Sequence, residues 1–116
     1  MTITRLQPGK RMSQAVKHGN TVYLAGQVAN DPNGTVEQQT REVLAAIDKL
    51  LAEAGTSKSK VLSCQVILNN IGDFAAMNSV YDGWIDPANP PARACIEARL
   101  AAPALKVEII AVAALD

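Results

Sequence analysis

The segment Lys106 to Leu115 constrains the fold most, because it reads as a strand that is apolar on both sides. Val107, Ile109, Ala111 and Ala113 share one face, and Ile110, Val112 and Ala114 share the other, as the two-residue period of a strand dictates. Such a strand needs cover above and below. The remaining chain supplies helical patterns for one layer, so the second face is expected to be buried against sister subunits.

The stronger helical pattern runs from Val36 to Ala54. Apolar residues recur at Val36, Val43, Leu44, Ile47, Leu50, Leu51 and Ala54, with Thr40 filling a gap, which is one face of a helix. Thr35 and Gln38 form a capping-box pattern at its start, and Gly55 stops it. Glu37, Gln39, Arg41, Glu42, Asp48, Lys49 and Glu53 are expected on the wet face. A second helix is expected after Asp73 as cap, with Phe74, Met77, Tyr81 and Trp84 on one face. Asp86-Pro87 and Asn89-Pro90-Pro91 end it and deliver the chain extended.

Ser13–Lys17 and Thr21–Val28 read as a hairpin around His18-Gly19-Asn20. Val61–Leu68 is a strand by its β-branched content, with Leu62, Cys64, Val66 and Leu68 on one side and Val61, Ser63, Gln65 and Ile67 on the other. Ala92–Ala98 and Lys106–Leu115 are the final strands. The order strand, strand, helix, strand, helix, strand, strand predicts an α+β two-layer sandwich, a mixed sheet with two helices on one face.

With 116 residues and no linker, the chain is expected to form a single domain, residues 1–116. Eleven basic and 11 acidic residues balance to zero formal charge, so no basic stripe exists to neutralise a phosphate backbone, and nucleic acid is not expected as a partner. Cys64 and Cys95 lie apart within predicted strands, which fits a reducing, cytoplasmic setting better than a disulfide scaffold. No segment approaches the ~20 apolar residues of a membrane span, and no leader pattern precedes the first strand.

Chemistry concentrates in Pro90-Pro91-Ala92-Arg93-Ala94-Cys95-Ile96-Glu97 and in Lys106-Val107-Glu108-Ile109. Arg93 is a cation inside an otherwise apolar strand; it either pairs with Glu97 or Asp73, or its rigid fork of donors holds the carboxylate of a small organic acid. Glu108, flanked by aliphatics, is either a salt-bridge or edge residue, or a group that handles water or a proton. Period two puts Arg93, Cys95 and Glu97 on one face. Cys95 has no base nearby to activate it and reads as a pocket-lining residue. Lone His18 falls in a turn and makes no metal site. Trp84 is either part of helix packing or reaches a neighbouring subunit's pocket.

Gly19-Asn20 through Ala25-Gly26-Gln27, the long helix ending Ala52-Glu53-Ala54-Gly55, Asp73-Phe74-Ala75-Ala76-Met77-Asn78, and the arginine and glutamate motifs follow one another as in a known family. The chain resembles the reactive intermediate deaminase (Rid, YjgF-like or RidA-like) family over nearly its whole length. The resemblance implies a chorismate-mutase-like fold, a homotrimer with clefts between subunits, no cofactor, and hydrolysis of enamines and 2-imino acids to 2-oxo acids and ammonia. It implies that Arg93 grips the substrate carboxylate, that the main chain at Cys95 contacts the nitrogen end, and that Glu108 positions or activates water. Where the best-known branch lines its cleft with a tyrosine and a serine, this chain has Met12 and Ala25. That departure leaves a more apolar pocket, and keeps open a non-catalytic module that binds 2-oxo acids through the same clefts.

Overall fold

The computed structural model describes residues 1–116. Its strands are β1 (Ile3–Leu6), β2 (Ala15–His18), β3 (Thr21–Leu24), β4 (Val61–Leu68), β5 (Ala92–Glu97) and β6 (Val107–Ala114), with helices α1 (Val36–Ala54) and α2 (Phe74–Trp84). They form one six-stranded sheet in the order β1-β2-β3-β6-β4-β5. Only β4 and β5 run parallel; their crossover is α2. The architecture is the α+β mixed sheet with two helices on one face that the pattern of elements predicts.

Helix α1 has the expected bounds, with the reciprocal Thr35–Gln38 capping box and Gly55 in the left-handed conformation at φ 91°. Its apolar stripe lies on β6, β2 and β3. Val107, Ile109, Ala111 and Ala113 of β6 are fully buried beneath the helices. Glu108, Ile110, Val112 and Ala114 alternate with them and stay half-buried on the open face. No helix is long and apolar enough to cross a membrane.

Local differences from the sequence expectation have physical causes. Strand β1 was not anticipated: it is short, largely exposed and bonded on one side only, to β2, so it carries no alternating apolar signal. The hairpin turns on Gly19-Asn20 with His18 inside β2. Its second strand stops at Leu24, because the chain bulges at Ala25-Gly26 before Gln27 rejoins Ile109. A further irregularity between Val61 and Ser63 reverses the facing at the start of β4, which buries Val61 and leaves Leu62 53% exposed. Phe74, expected to pack, is 42% exposed, and Asp73 makes no side-chain cap; instead the Asn70 side-chain Oδ1 accepts from the Gly72 N–H in the turn before α2.

Gln39, assigned by periodicity to the wet face, is fully buried. Its amide nitrogen donates to the carbonyls of Gly34 (3.2 Å) and Ala104 (3.1 Å), and its oxygen accepts from the Lys106 N–H at 2.9 Å. One side chain thus ties the loop before α1 to the start of β6, two residues from Glu108. Gln39→Leu keeps the volume but strands these backbone groups. The expected loss is about 2–4 kcal/mol of stability, measured as a lower urea midpoint at unchanged slope.

Candidate functional site

Pairing of β4 with β5 sets Arg93 beside Cys64, Cys95 beside Val66 and Glu97 beside Leu68. Cys64, Val66 and Leu68 face the helices, so Arg93, Cys95 and Glu97 share the helix side of the edge strand, as period two predicts. The Arg93 side chain is exposed at that edge in the isolated chain. Its Nη1 donates to Asn78 Oδ1 at 2.7 Å. Its guanidinium carbon lies 4.6 Å from the centre of the Tyr81 ring and 5.7 Å from that of Phe74, within range of cation–π attraction. Glu97 is not its partner: that carboxylate accepts from the Ile71 N–H at 2.9 Å.

Phe74, Asn78 and Tyr81 thus form a cradle for the arginine. The sequence reading missed this role, taking the aromatics for helix packing and passing over Asn78. Their spacing of four and three residues is the available signal, since it stacks all three on one side of α2.

Tyr81 and the thiol of Cys64 meet beneath the guanidinium. Burial pushes the Cys64 thiol up to about 11, against the opposing pull of its hydrogen bond to Tyr81 and of Arg93. Burial, with Cys64 close by, pushes the Tyr81 phenol up to about 12. Cys95 is also raised by burial, against the lowering influence of Arg93. It is therefore a poor thiolate nucleophile at neutral pH.

Glu108 lies on the other face. It pairs across β6 and β4 with Ile67, which pairs with Ile96. Its backbone is thus two strand spacings, about 10 Å, from β5, and its side chain leaves the opposite side of the sheet from Arg93. Within one chain the two do not form a joint pocket. The register across β4 is regular from Ser63 to Leu68, and because Arg93 pairs with Cys64 while Glu108 pairs with Ile67, three residues on, strand parity puts the two side chains on opposite faces; a site that joins them has to draw them from different protomers. The Glu108 carboxylate packs instead on Gly26, where an added Cβ would sit 2.9 Å from its carboxyl carbon.

Ala25 adjoins this bulge, its N–H donating to the Gln14 carbonyl at 2.8 Å. Met12 is 50% exposed in the β1–β2 loop, which is closed by a 2.8 Å bond from the Gly9 N–H to the Met12 carbonyl. Met12 borders a depression of about 590 Å³ with Gln7, Gly9, Lys10, Arg11 and Gln14. Trp84 is 9% exposed, and its indole N–H is shared between both Asp48 oxygens at 3.0 Å. That bond to α1 holds Trp84 in the helix layer rather than reaching outward. His, Cys, Asp and Glu side chains nowhere gather in threes suited to a metal ion.

Residues 2–115 match the family model described as Endoribonuclease L-PSP. The chain belongs to this YjgF/Rid family. A RutC family protein of Haemophilus influenzae is 47% identical to it, over 97% of this chain and 98% of the relative. The crystal structure of a YjgF-family protein from Neisseria meningitidis matches with a TM-score of 0.97 at 41% identity, covering 100% of this chain and 97% of that one. A Pseudomonas aeruginosa structure matches at 0.96 with 43% identity, over 99% and 100%. Family membership and the α+β fold are thereby fixed together.

Two measurements probe this geometry. Gly26→Ala drives a methyl into the end of the Glu108 side chain, and a crystal structure is expected to show that carboxylate in a new rotamer with little change in melting temperature, because only a flexible side chain has to move. Alkylation of Cys95 by iodoacetamide is expected to rise with pH only above the ordinary cysteine range, because its thiolate forms later than usual.

Proposed function

We propose that the protein is a hydrolytic deaminase that converts reactive enamines and 2-imino acids to 2-oxo acids and ammonia. The observation that carries this reading is the guanidinium of Arg93, hydrogen-bonded to the neutral amide of Asn78 with no carboxylate claiming it, on an edge strand. A fixed fork of this kind suits bidentate capture of a small carboxylate.

In the reaction, water adds to the carbon of the protonated C=N bond, giving a tetrahedral carbinolamine. A proton moves from the new hydroxyl to nitrogen, the C–N bond breaks, and ammonia leaves as the C=O forms. An enamine first takes a proton on carbon to become the imine. Glu108 is the proposed acceptor and donor of these protons, or the holder of the water. Because Glu108 and Arg93 leave opposite faces of the sheet, the complete site needs a second copy of the chain, with Glu108 of one protomer meeting Arg93 of the next. The half-buried apolar face formed by Ile110, Val112 and Ala114, together with Tyr23 and Ile96, which are 50% and 43% exposed, supports a homotrimer closing that face, with clefts between protomers.

Imines of this type already hydrolyse in water. A thousandfold acceleration needs about 4 kcal/mol, within reach of orientation plus one proton-transfer group. The family description as endoribonuclease is a weaker guide here: the 11 basic and 11 acidic residues give no field to draw in RNA. Met12 and Ala25 bring no polar side-chain group to the cleft, which favours imines with apolar side chains over small polar ones.

The test couples an amino acid oxidase to the purified protein and follows loss of the semicarbazide-trappable imine. Acceleration is expected, with Arg93→Ala reducing kcat/KM by at least about 100-fold. Glu108→Gln is expected to lower kcat more than it changes KM. Full activity in Arg93→Ala, or no acceleration with any amino acid, overturns the proposal.

A further inference from the structure

We infer that Asn78 and Tyr81 are positioning residues for Arg93, forming an uncharged cradle that fixes the guanidinium while leaving its positive charge to a substrate carboxylate. The inference deepens the deaminase reading and rests on it for the identity of the substrate.

A lone arginine on an edge strand has many rotamers, and fixing it requires partners. Aspartate or glutamate would be the strongest, yet a carboxylate in the fork occupies the donors that the substrate needs. Here the bond comes from an amide oxygen, Asn78 Oδ1 at 2.7 Å. Beneath it the Tyr81 ring, 6% exposed, offers a π face at 4.6 Å, and Phe74 flanks the group at 5.7 Å. Glu97, the acid on the same strand face, is held elsewhere by the Ile71 N–H. The groups under the ring stay neutral as well, since burial raises both the Cys64 thiol and the Tyr81 phenol. Orientation is supplied by one dipole and two aromatic faces, and none of the three cancels the charge.

The test compares Asn78→Asp, Asn78→Ala, Tyr81→Phe and Tyr81→Leu in the full chain. It measures 2-oxobutanoate binding by calorimetry, imine turnover, and thermal melting. Asn78→Asp places a carboxylate in the fork and is expected to weaken binding by about 50-fold or more with melting unchanged or higher. Asn78→Ala is expected to weaken it by roughly 10-fold. Tyr81→Phe keeps the π face and stays within about threefold of wild type, whereas Tyr81→Leu raises KM more than it lowers kcat. Wild-type binding in Asn78→Asp overturns the cradle even if Tyr81→Leu fails to fold. Wild type that binds 2-oxobutanoate yet hydrolyses no imine overturns the deaminase reading alone; wild type that neither binds 2-oxobutanoate nor accelerates imine loss overturns both.

Discussion

Strand β6 is the constraint on which the molecule depends. It lies between β3 and β4 and is apolar on both faces, although helices close only one. Each fully buried aliphatic on the helix side contributes about 1.5–3 kcal/mol, and Ile109 and Val107 meet their counterparts from α1 there. The chain reaches this strand last, after α1 has carried it from β3 to β4 past the empty slot between them. Glu108 then falls, by alternation, among the apolar residues of the other face. The same two-residue period that builds the core on one side therefore puts the carboxylate on the face that the proposed second protomer would cover.

Regular patterns made the layers legible. The stripe from Val36 to Ala54, its Thr35–Gln38 box and Gly55 define α1 because helix termini leave specific backbone groups that those side chains satisfy. What the sequence hid were irregularities. The bulge at Val61–Ser63 puts the first residues of β4 out of phase with the rest, so Leu62 emerges and Val61 sinks while Cys64, Val66 and Leu68 keep their facing. Gln39 is buried because backbone groups from distant loops converge on its amide, and helical periodicity carries no information about distant loops. Strand β1 is set by pairing alone, with too little apolar content to announce itself.

The candidate site divides along the same line. Arg93 stands out as a cation among small and apolar residues, and its face was readable from Cys95 and Glu97 two and four positions on. Its cradle was not, since Asn78 and Tyr81 belong to a helix whose rotation over the sheet is fixed by Met77 and by the Trp84 bond to Asp48. Nor was the separation of Arg93 from Glu108, which depends on strand order and on the register that pairs Arg93 with Cys64 and Glu108 with Ile67. The resemblance to the YjgF/Rid family named both residues without saying that one chain holds them on opposite faces.

That separation gives the electrostatics a direction. In a single chain the guanidinium is hydrated at the sheet edge, so an uncharged cradle carries little penalty. If a second copy closes over it, water is lost and a cation without a counter-charge becomes costly, by several kcal/mol for a well-buried ion. A carboxylate ligand removes that penalty by supplying the missing charge in bidentate geometry. Ligand binding and subunit closure then stabilise one another, since an anion that binds only the closed state shifts the equilibrium toward it. An arginine already paired with Glu97 would assemble as readily with or without ligand, and the cleft would lose its preference for an acid. Diversion of Glu97 to the Ile71 N–H therefore matters as much to the proposed chemistry as the cation itself.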